Sequence, residues 1–291
     1  MISVITCSIK PDICQRMLDS INETIGVEFE TIVFDNRKKK YGICKAYNEA
    51  AKEANSDYLC FVHEDVIIKT KEWGIQLVNF IEQNGDCGAI GIAGGKYVNR
   101  NFISWYVLNH LVKVYELRNL NNHQSEKDFY YWYVNPENEI FSKAVCLDGV
   151  FIFVKKQVWE NNKFDEETFK GFHFYDADFT FSVSKKYQNY VCFGIDIFHF
   201  SAGNVDKIFC ENMYLFQKKW KKNLPYCLSG YKVTFRYELD KAKNVYLLYR
   251  KKKFPIIESL KRIYDINGFL FFCFFLIKII IYNIYYRGNE F

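Results

Sequence analysis

None of the ten cysteines forms a C-x-x-C pair, and Cys60, Cys192 and Cys273 sit inside apolar runs. A disulfide framework is therefore a poor reading, and free buried thiols in a reducing compartment a better one. The N-terminus has no basic segment leading into a long apolar core, so secretion is not signalled and action in the cytosol, or on a cytosol-facing membrane, is expected. Strong charge is also missing. The formal balance is only +5, and the basic residues gather at Lys38 to Lys40, Lys218 to Lys222 and Arg250 to Lys253. Such clusters suit diphosphates or anionic lipid, or are solvated faces, and they are too scattered for a nucleic-acid footprint. The phosphate-binding fingerprints are absent as well. The glycines of Cys87 to Gly95 lack P-loop spacing, and the first strand–helix turn has no G-x-G-x-x-G.

What is present is apolar and aromatic. Hydrophobic residues make up 49% and aromatics 19% of 291 residues, enough for one large α/β domain with an extension, or for two modest domains. Ile2 to Ser8 reads as a strand, Asp12 to Ile25 as a helix, Phe29 to Phe34 as a strand, Gly42 to Ala54 as a helix and Tyr58 to Val62 as a buried strand. That alternation predicts a parallel sheet with right-handed crossovers. Ile67 to Gln83 reads as helix. Asn99 to Asn138 is the least regular stretch, and its Trp105, Trp132 and tyrosines at 130, 131 and 133 suit a binding loop or aromatic packing. Val145 to Val154 is a second apolar run, broken at Asp148-Gly149. Asp206 to Lys222 reads as an amphipathic helix.

Polar groups recur where strands end. Asp35-Asn36 follows the second strand, and His63-Glu64-Asp65 follows the third. His199 closes the run from Tyr190. Asp176 and Asp178 share a face if the chain is extended there, or the first turn if a helix begins there. The carboxyl edge of an open α/β sheet is where ligands bind, and carboxylates at such an edge suit a divalent cation carrying phosphates. Taken singly, each of these groups also reads as a solvated strand end.

In this order, His63-Glu64-Asp65, the block Gly171-Phe-His-Phe-Tyr-Asp176-Ala-Asp178 and Phe198-His199-Phe-Ser-Ala-Gly203 resemble an inverting glycosyltransferase of the GT-A fold, in the broad family-2 group. The streptomycin-biosynthesis glycosyltransferase-like subgroup is the nearest in pattern. The resemblance spans about Met1 to Lys222. It implies a nucleotide-sugar donor and an acceptor hydroxyl on a glycan or lipid-linked molecule. Residue by residue, it makes Asp65 and His199 ligands of Mn²⁺ or Mg²⁺, Asp176 the general base and Asp178 its neighbouring support. It places Thr6, Cys7, Ser8, Asp35, His63, Glu64 and Asp148 around the donor. Asp35 is the acid expected to read the base, and His63 stands where relatives carry the first acid of a D-x-D motif. The competing reading is a catalytically weak, membrane-associated scaffold, motivated by that histidine; Asp65, Asp176 and His199 argue against it.

The resemblance implies a glycosyltransferase domain over residues 1–228, followed by an extension over 229–291. Pro255 to Ile266 reads as an amphipathic helix. Phe269 to Ile281 is apolar except for Lys278, is short for a typical span and carries no polar stripe. Lys278 would snorkel and the tyrosines at 282, 285 and 286 would sit at an interface. With the basic run before it, this tail is expected to hold the protein peripherally on the cytosolic membrane face through residues 255–286. A helix docked on the protein, or an oligomer contact, are the other readings of it.

Overall fold

The computed structural model describes residues 1–106, 110–117, 129–201, 203–228 and 233–286. Parts of the Asn99–Asn138 stretch, Ala202 and residues 229–232, just past the expected boundary at Leu228, lie outside these, as do the side chains of Tyr285 and Tyr286. Two compact units emerge: Met1–Tyr97 with Trp105–Gly203, and Val98–Ser104 with Asn204–Phe291. The division falls at Gly203, upstream of the boundary read from the sequence.

The first unit opens as β1 (Ile2–Ser8), α1 (Pro11–Thr24), β2 (Phe29–Asp35), α2 (Asn36–Lys39), α3 (Ile43–Lys52) and β3 (Tyr58–Val62). β1 lies parallel to both β2 and β3, with Ile5 opposite Ile32 on one side and Phe61 on the other. Continuous burial of β1 and β3 explains their uninterrupted apolar runs. α1 buries Cys14, Met17 and Ile21, and α3 buries Ala46, Tyr47, Ala50 and Ala51, each at helical spacing.

Next come β4 (Val66–Ile68), α4 (Trp73–Gln83), β5 (Cys87–Gly91), β6 (Ala93–Gly95), β7 (Tyr97–Val98), β8 (His110–Leu117) and β9 (Phe129–Val134). Two expectations are corrected here. Ile67 and Ile68 are strand, because Val66 and Ile68 are buried at two-residue spacing; the helix begins only at Trp73. The stretch read as irregular contains the antiparallel pair of β8 and β9, in which Val114 faces Trp132. The unit continues through β10 (Phe141–Ala144), β11 (Cys146–Leu147), β12 (Phe151–Lys155), α5 (Lys156–Asn162), α6 (Tyr175–Val183), β13 (Gln188–Cys192) and β14 (Ile197–His199).

The central sheet has seven strands in the order β10-β13-β5-β12-β3-β1-β2. Five run one way, while β12 runs against β3 and β5, and β10 against β13. A second sheet joins β11, β6, β8, β14 and β4, with β9 on β8. Behind β3, Phe61, Tyr47, Phe164 and Phe179 form an aromatic core, with Phe164 and Phe179 stacked at 4.3 Å. Each such fully buried ring contributes roughly 1.5–3 kcal/mol. These contacts pack Phe61, next to the end of β3, between α3 and α6.

The second unit comprises α7 (Lys207–Trp220), β15 (Tyr226–Cys227), α8 (Phe235–Lys251), α9 (Ile256–Asn267) and α10 (Phe269–Tyr286). Arg262 on α9 binds Glu211 at 2.8 Å and Glu258 at 2.6 Å. On α10, Phe275 and Ile279 are buried, and Lys278 pairs with Asp240 of α8 at 2.8 Å rather than reaching for an interface. Leu270, Phe274, Ile277 and Ile281 remain exposed. Among the described residues no helix is long and apolar enough to cross a membrane. All ten cysteines are free thiols, seven of them buried.

Candidate active site

Strand register builds the site. β3 ends at Val62, and the His63 amide donates to the Val150 carbonyl at 3.1 Å, which sets the Asp148–Val150 turn beside His63. β14 pairs antiparallel with β4 so that His199 stands opposite Val66, and the Phe200 amide donates to the Asp65 carbonyl at 2.9 Å. Asp65 and His199, 134 positions apart, are thereby neighbours. His199 Nε2 lies 3.6 Å and His63 Nδ1 4.0 Å from Asp65 Oδ1. One ligand atom from each of the three residues falls within 4.8 Å of the others. Ser201 Oγ sits 3.0 Å from His199 Nε2.

The electrostatics suit a cation. Burial acts to raise the Asp65 carboxyl, but the hydrogen bond and charge of His199, the charge of His63 and the Ser201 hydroxyl outweigh it and hold Asp65 well below the usual carboxylate range. Burial, then the charge of His199, press His63 down to about 4 against the pull of Asp65 and Asp148. A neutral His63 beside an ionised Asp65 matches the protonation states a metal requires of its ligands.

Behind this cluster, α6 starts at Tyr175 and carries both Asp176 and Asp178 in its first turn, where the helix dipole favours anions. Phe174 precedes it in the left-handed region at φ 66°, a strained setting for a phenylalanine. Asp176 Oδ2 accepts from the Gly149 amide at 2.9 Å. Burial and then the neighbouring Asp148 raise Asp176 to about 7, against the backbone amides of Ala177 and Gly149. Asp148 itself accepts from the Val150 amide at 2.8 Å and from the Trp105 indole. Asp178 is 2% exposed, within the core of its helix.

A cavity of about 450 Å³ opens in front of His63 and Asp65. Cys7, Glu64, Ser201, Asn36, Tyr41 and Phe172 help line it, together with the cations Lys10, Lys40 and Lys170. Gly42 lets the start of α3 approach the Lys170 carbonyl, where a Cβ would collide, and the Ile43 amide donates to Gly171 at 3.0 Å.

Several residues expected around the donor have other partners. Glu64 accepts from Ser8 Oγ at 2.7 Å and from the amides of Ile9 and Lys10 at 3.1 and 3.0 Å, so it fastens the turn that carries Lys10. Asp35 accepts from Arg37 Nε and Nη2 at 2.9 and 2.6 Å, which lowers it to about 2, and it does not line the cavity. Its neighbour Asn36 does, with its amide bonded in both directions to Tyr41 at 2.8 Å. Thr6 is buried without a hydrogen-bond partner for its hydroxyl. Sequence reasoning assigned no role to Tyr175, Gly149, Ser201 or Lys170. Only Lys40 carried a signal, as part of a basic cluster suited to phosphates.

Residues 3–231 match the family model described as "Glycosyltransferase like family". The chain belongs to that family. Two solved structures show the fold of this glycosyltransferase-like chain. The mannosyltransferase PcManGT from Pyrobaculum calidifontis, in complex with GDP-Man and Mn²⁺, aligns at TM-score 0.50 and 10% identity, covering 98% of this chain and 81% of that one. GalNAc-T7 with UDP, GalNAc and Mn²⁺ aligns at 0.52 and 11%, covering 98% of this chain and 57% of that one. The fold is GT-A, as the resemblance implied. No curated protein matches the chain by sequence.

Proposed function

We propose that this chain is a metal-dependent glycosyltransferase that transfers a sugar from a nucleotide-sugar donor to an acceptor hydroxyl with inversion at the anomeric carbon. The observation that carries the reading is the meeting of His63, Asp65 and His199, the first two of which line a cavity shared with three lysines. The nucleotides and Mn²⁺ in the two solved relatives support the same donor class and ion. The pattern of the second and third motif blocks favours the streptomycin-biosynthesis-like subgroup.

Asp65 and His199 hold Mn²⁺ or Mg²⁺, which neutralises charge on the departing diphosphate when bound. Lys10, Lys40 and Lys170 add positive charge for the same phosphates. Asp176 takes the proton of the acceptor hydroxyl, and a pKa near 7 places that base where general-base catalysis is most effective. A single base opposite the leaving group gives one in-line displacement. Asp148 tunes Asp176 by its charge, while Asp178 supports the helix start from within the core. Trp105, Tyr106 and Trp132, with ring centroids 4.8 to 6.1 Å apart, offer flat faces to an acceptor sugar.

The second unit serves as a peripheral anchor on the cytosolic membrane face, in surface glycan or glycolipid synthesis. Its exposed Leu270, Phe274, Ile277 and Ile281 lie along one helix that follows the run Arg250 to Lys253. Each basic residue near an anionic surface contributes about 1 kcal/mol. Vesicle flotation with and without anionic lipid tests this part; the combined change Leu270→Gln, Phe274→Gln and Ile277→Gln should abolish flotation, and equal flotation would refute the anchor.

The catalytic reading is tested by a panel of sugar nucleotides scored for release of the nucleoside diphosphate, with and without Mn²⁺. Release from at least one donor, dependent on the ion and sharply reduced by Asp176→Asn, is expected. Release independent of both the ion and Asp176 contradicts the assignment.

A further inference from the structure

We infer that the outer face of β9 is a second glycan-binding surface, on which Tyr131 and Tyr133 receive an uncharged oligosaccharide. Neither residue lines the cavity assigned to the donor. The ligand class rests on the glycosyltransferase reading above, while the site lies apart from the residues that reading uses.

Strand alternation sorts the rings of β9 onto two faces. Trp132 stands opposite the buried Val114, and its ring centroid lies 5.7 Å from that of Trp105 and 4.8 Å from that of Tyr106. Tyr131 and Tyr133 point to the other face. There they are 44% and 46% exposed, with centroids 5.8 Å apart and only 20° between the ring planes. Among the described residues β9 pairs only with β8, so this ring pair runs along the edge of its sheet. Two nearly parallel aromatic rings left half open side by side mark a contact surface rather than a scattered exposure.

The pair is held from beneath. Tyr133 packs edge-on against the buried Phe193 at 5.8 Å. Lys113, opposite Tyr133 in register, gives Nζ to the Phe193 carbonyl at 2.9 Å and to Asp196 at 2.8 Å. Asn135 Nδ2 donates to the Tyr133 hydroxyl at 3.2 Å and to the Glu139 carbonyl at 2.8 Å. The Tyr133 oxygen thus receives a proton from Asn135 and keeps its own to donate to a ligand hydroxyl.

The chemistry of the patch selects the ligand. A pyranose has faces of weakly positive C–H bonds, which suit the negative face of an aromatic ring, and a rim of hydroxyls that need polar partners. Two nearly parallel rings offer like-oriented faces to a chain of sugars. The Tyr133 hydroxyl and the Asp196 carboxylate supply the partners. Asp196 is near enough that its charge, after burial, raises the Tyr131 hydroxyl. Charge argues against other polymers. The lysine beside the rings is matched by Asp196, so it offers no surplus cation to an anionic polymer or lipid. Position fits as well. On the opposite face of the same strand, Trp132 belongs to the ring cluster offered to the acceptor sugar, so a long acceptor leaving that cluster meets Tyr131 and Tyr133 by turning over the strand edge.

The test is saturation-transfer NMR and calorimetry of the full chain with maltohexaose, cellohexaose and chitohexaose, without donor or divalent ion. At least one hexasaccharide should bind. Combining Tyr131→Ala with Tyr133→Ala should weaken it by about tenfold or more, and Tyr133→Phe, which loses only the hydroxyl, by roughly two- to tenfold. Trp105→Ala should cost less than the double change. A wild type that binds none of the three, or a folded double variant that binds as well as the wild type, overturns the inference. So does a wild-type dimer in light scattering that the double variant turns monomeric, since the face then belongs to a second copy. The glycosyltransferase reading is scored separately by ion-dependent release of nucleoside diphosphate, which both tyrosine variants should retain. Release without hexasaccharide binding overturns the surface alone, and binding that the double variant loses, without release from any donor, upholds the surface and overturns the reading.

Discussion

Two strand ends in this protein carry the same kind of group and are finished differently. At the end of β2, Asp35 is half exposed, and Arg37 takes both of its carboxylate oxygens. At the end of β3, Asp65 is more buried, and its neighbours are two imidazole nitrogens at 3.6 and 4.0 Å. The first carboxylate is closed by its partner, and the second is held ionised and open towards a cavity. Glu64, one residue earlier, is closed too, by the turn from Ser8 to Lys10. An acid at a strand end is thus only an offer of chemistry. Whether it is taken up by the protein itself or left for a ligand depends on the next shell of partners.

The largest expected effect breaks the open end. Asp65→Ala should remove Mn²⁺ binding altogether, because it deletes the carboxylate on which both imidazoles converge; equilibrium dialysis showing retained Mn²⁺ would return Asp65 to a structural role. Asp176→Asn comes next. It should lower turnover by about 10² to 10⁴ while leaving donor affinity nearly intact, since a base acts chiefly in the transition state. A loss confined to donor affinity places the base elsewhere.

The same carboxyl gives a pH prediction. Asp176 must be deprotonated to act, so kcat/KM should rise with pH and level off above about 7. Asp148→Asn removes the charge that helps lift Asp176, so the rising limb should move to lower pH; an unmoved limb means that another group titrates. Other ionisable groups facing this pair are Tyr175, Tyr47 and Cys146, all held up by burial first and so neutral across this range, and His63, which burial presses down to about 4. The linked stability has a fixed sign. A carboxyl whose pKa is raised on folding stabilises the protein below about 4, and that contribution is lost as pH climbs to about 7.

The closed ends should matter less. Glu64→Gln keeps the shape of the turn but weakens its bonds, and a loss of about 0.5–1.5 kcal/mol, roughly two- to tenfold in donor affinity, is expected with turnover little changed. Asp35→Asn should be nearly silent in donor affinity, because its partner is Arg37 at the surface. A large loss there would show that Arg37 yields the carboxylate to the nucleotide base.

The strand–helix alternation from Ile2 to Val62 was legible because its apolar runs and helical spacings are unbroken. The three residues Val66–Ile68 were not. A strand that short leaves no period to read, and Ile67 and Ile68 merge visually with the helix that follows. That strand is also what brings His199 to Asp65, so the joining of the site depended on an element the sequence hid. The residues of the block from Gly171 to Asp178 pointed to Asp176, and the helix start at Tyr175 resolves the alternative between strand and helix. Closure of Asp35 by Arg37 and of Glu64 by the β1–α1 turn was invisible for another reason. Hydrogen-bond partners are set by three-dimensional approach, and a lone acid has the same letter whether open or satisfied. Gly149 shows the converse: its role lies in the Tyr175 and Asp176 side chains pressed against it, about 26 residues away.

The most direct test of the open site is calorimetric titration of UDP and GDP into the full-length protein with and without Mn²⁺. At least one nucleotide should bind far more tightly with the ion present, and that gain should vanish in Asp65→Ala. Equal affinity with and without Mn²⁺, for both nucleotides and for both proteins, would contradict a site organised around Asp65 and its two histidines.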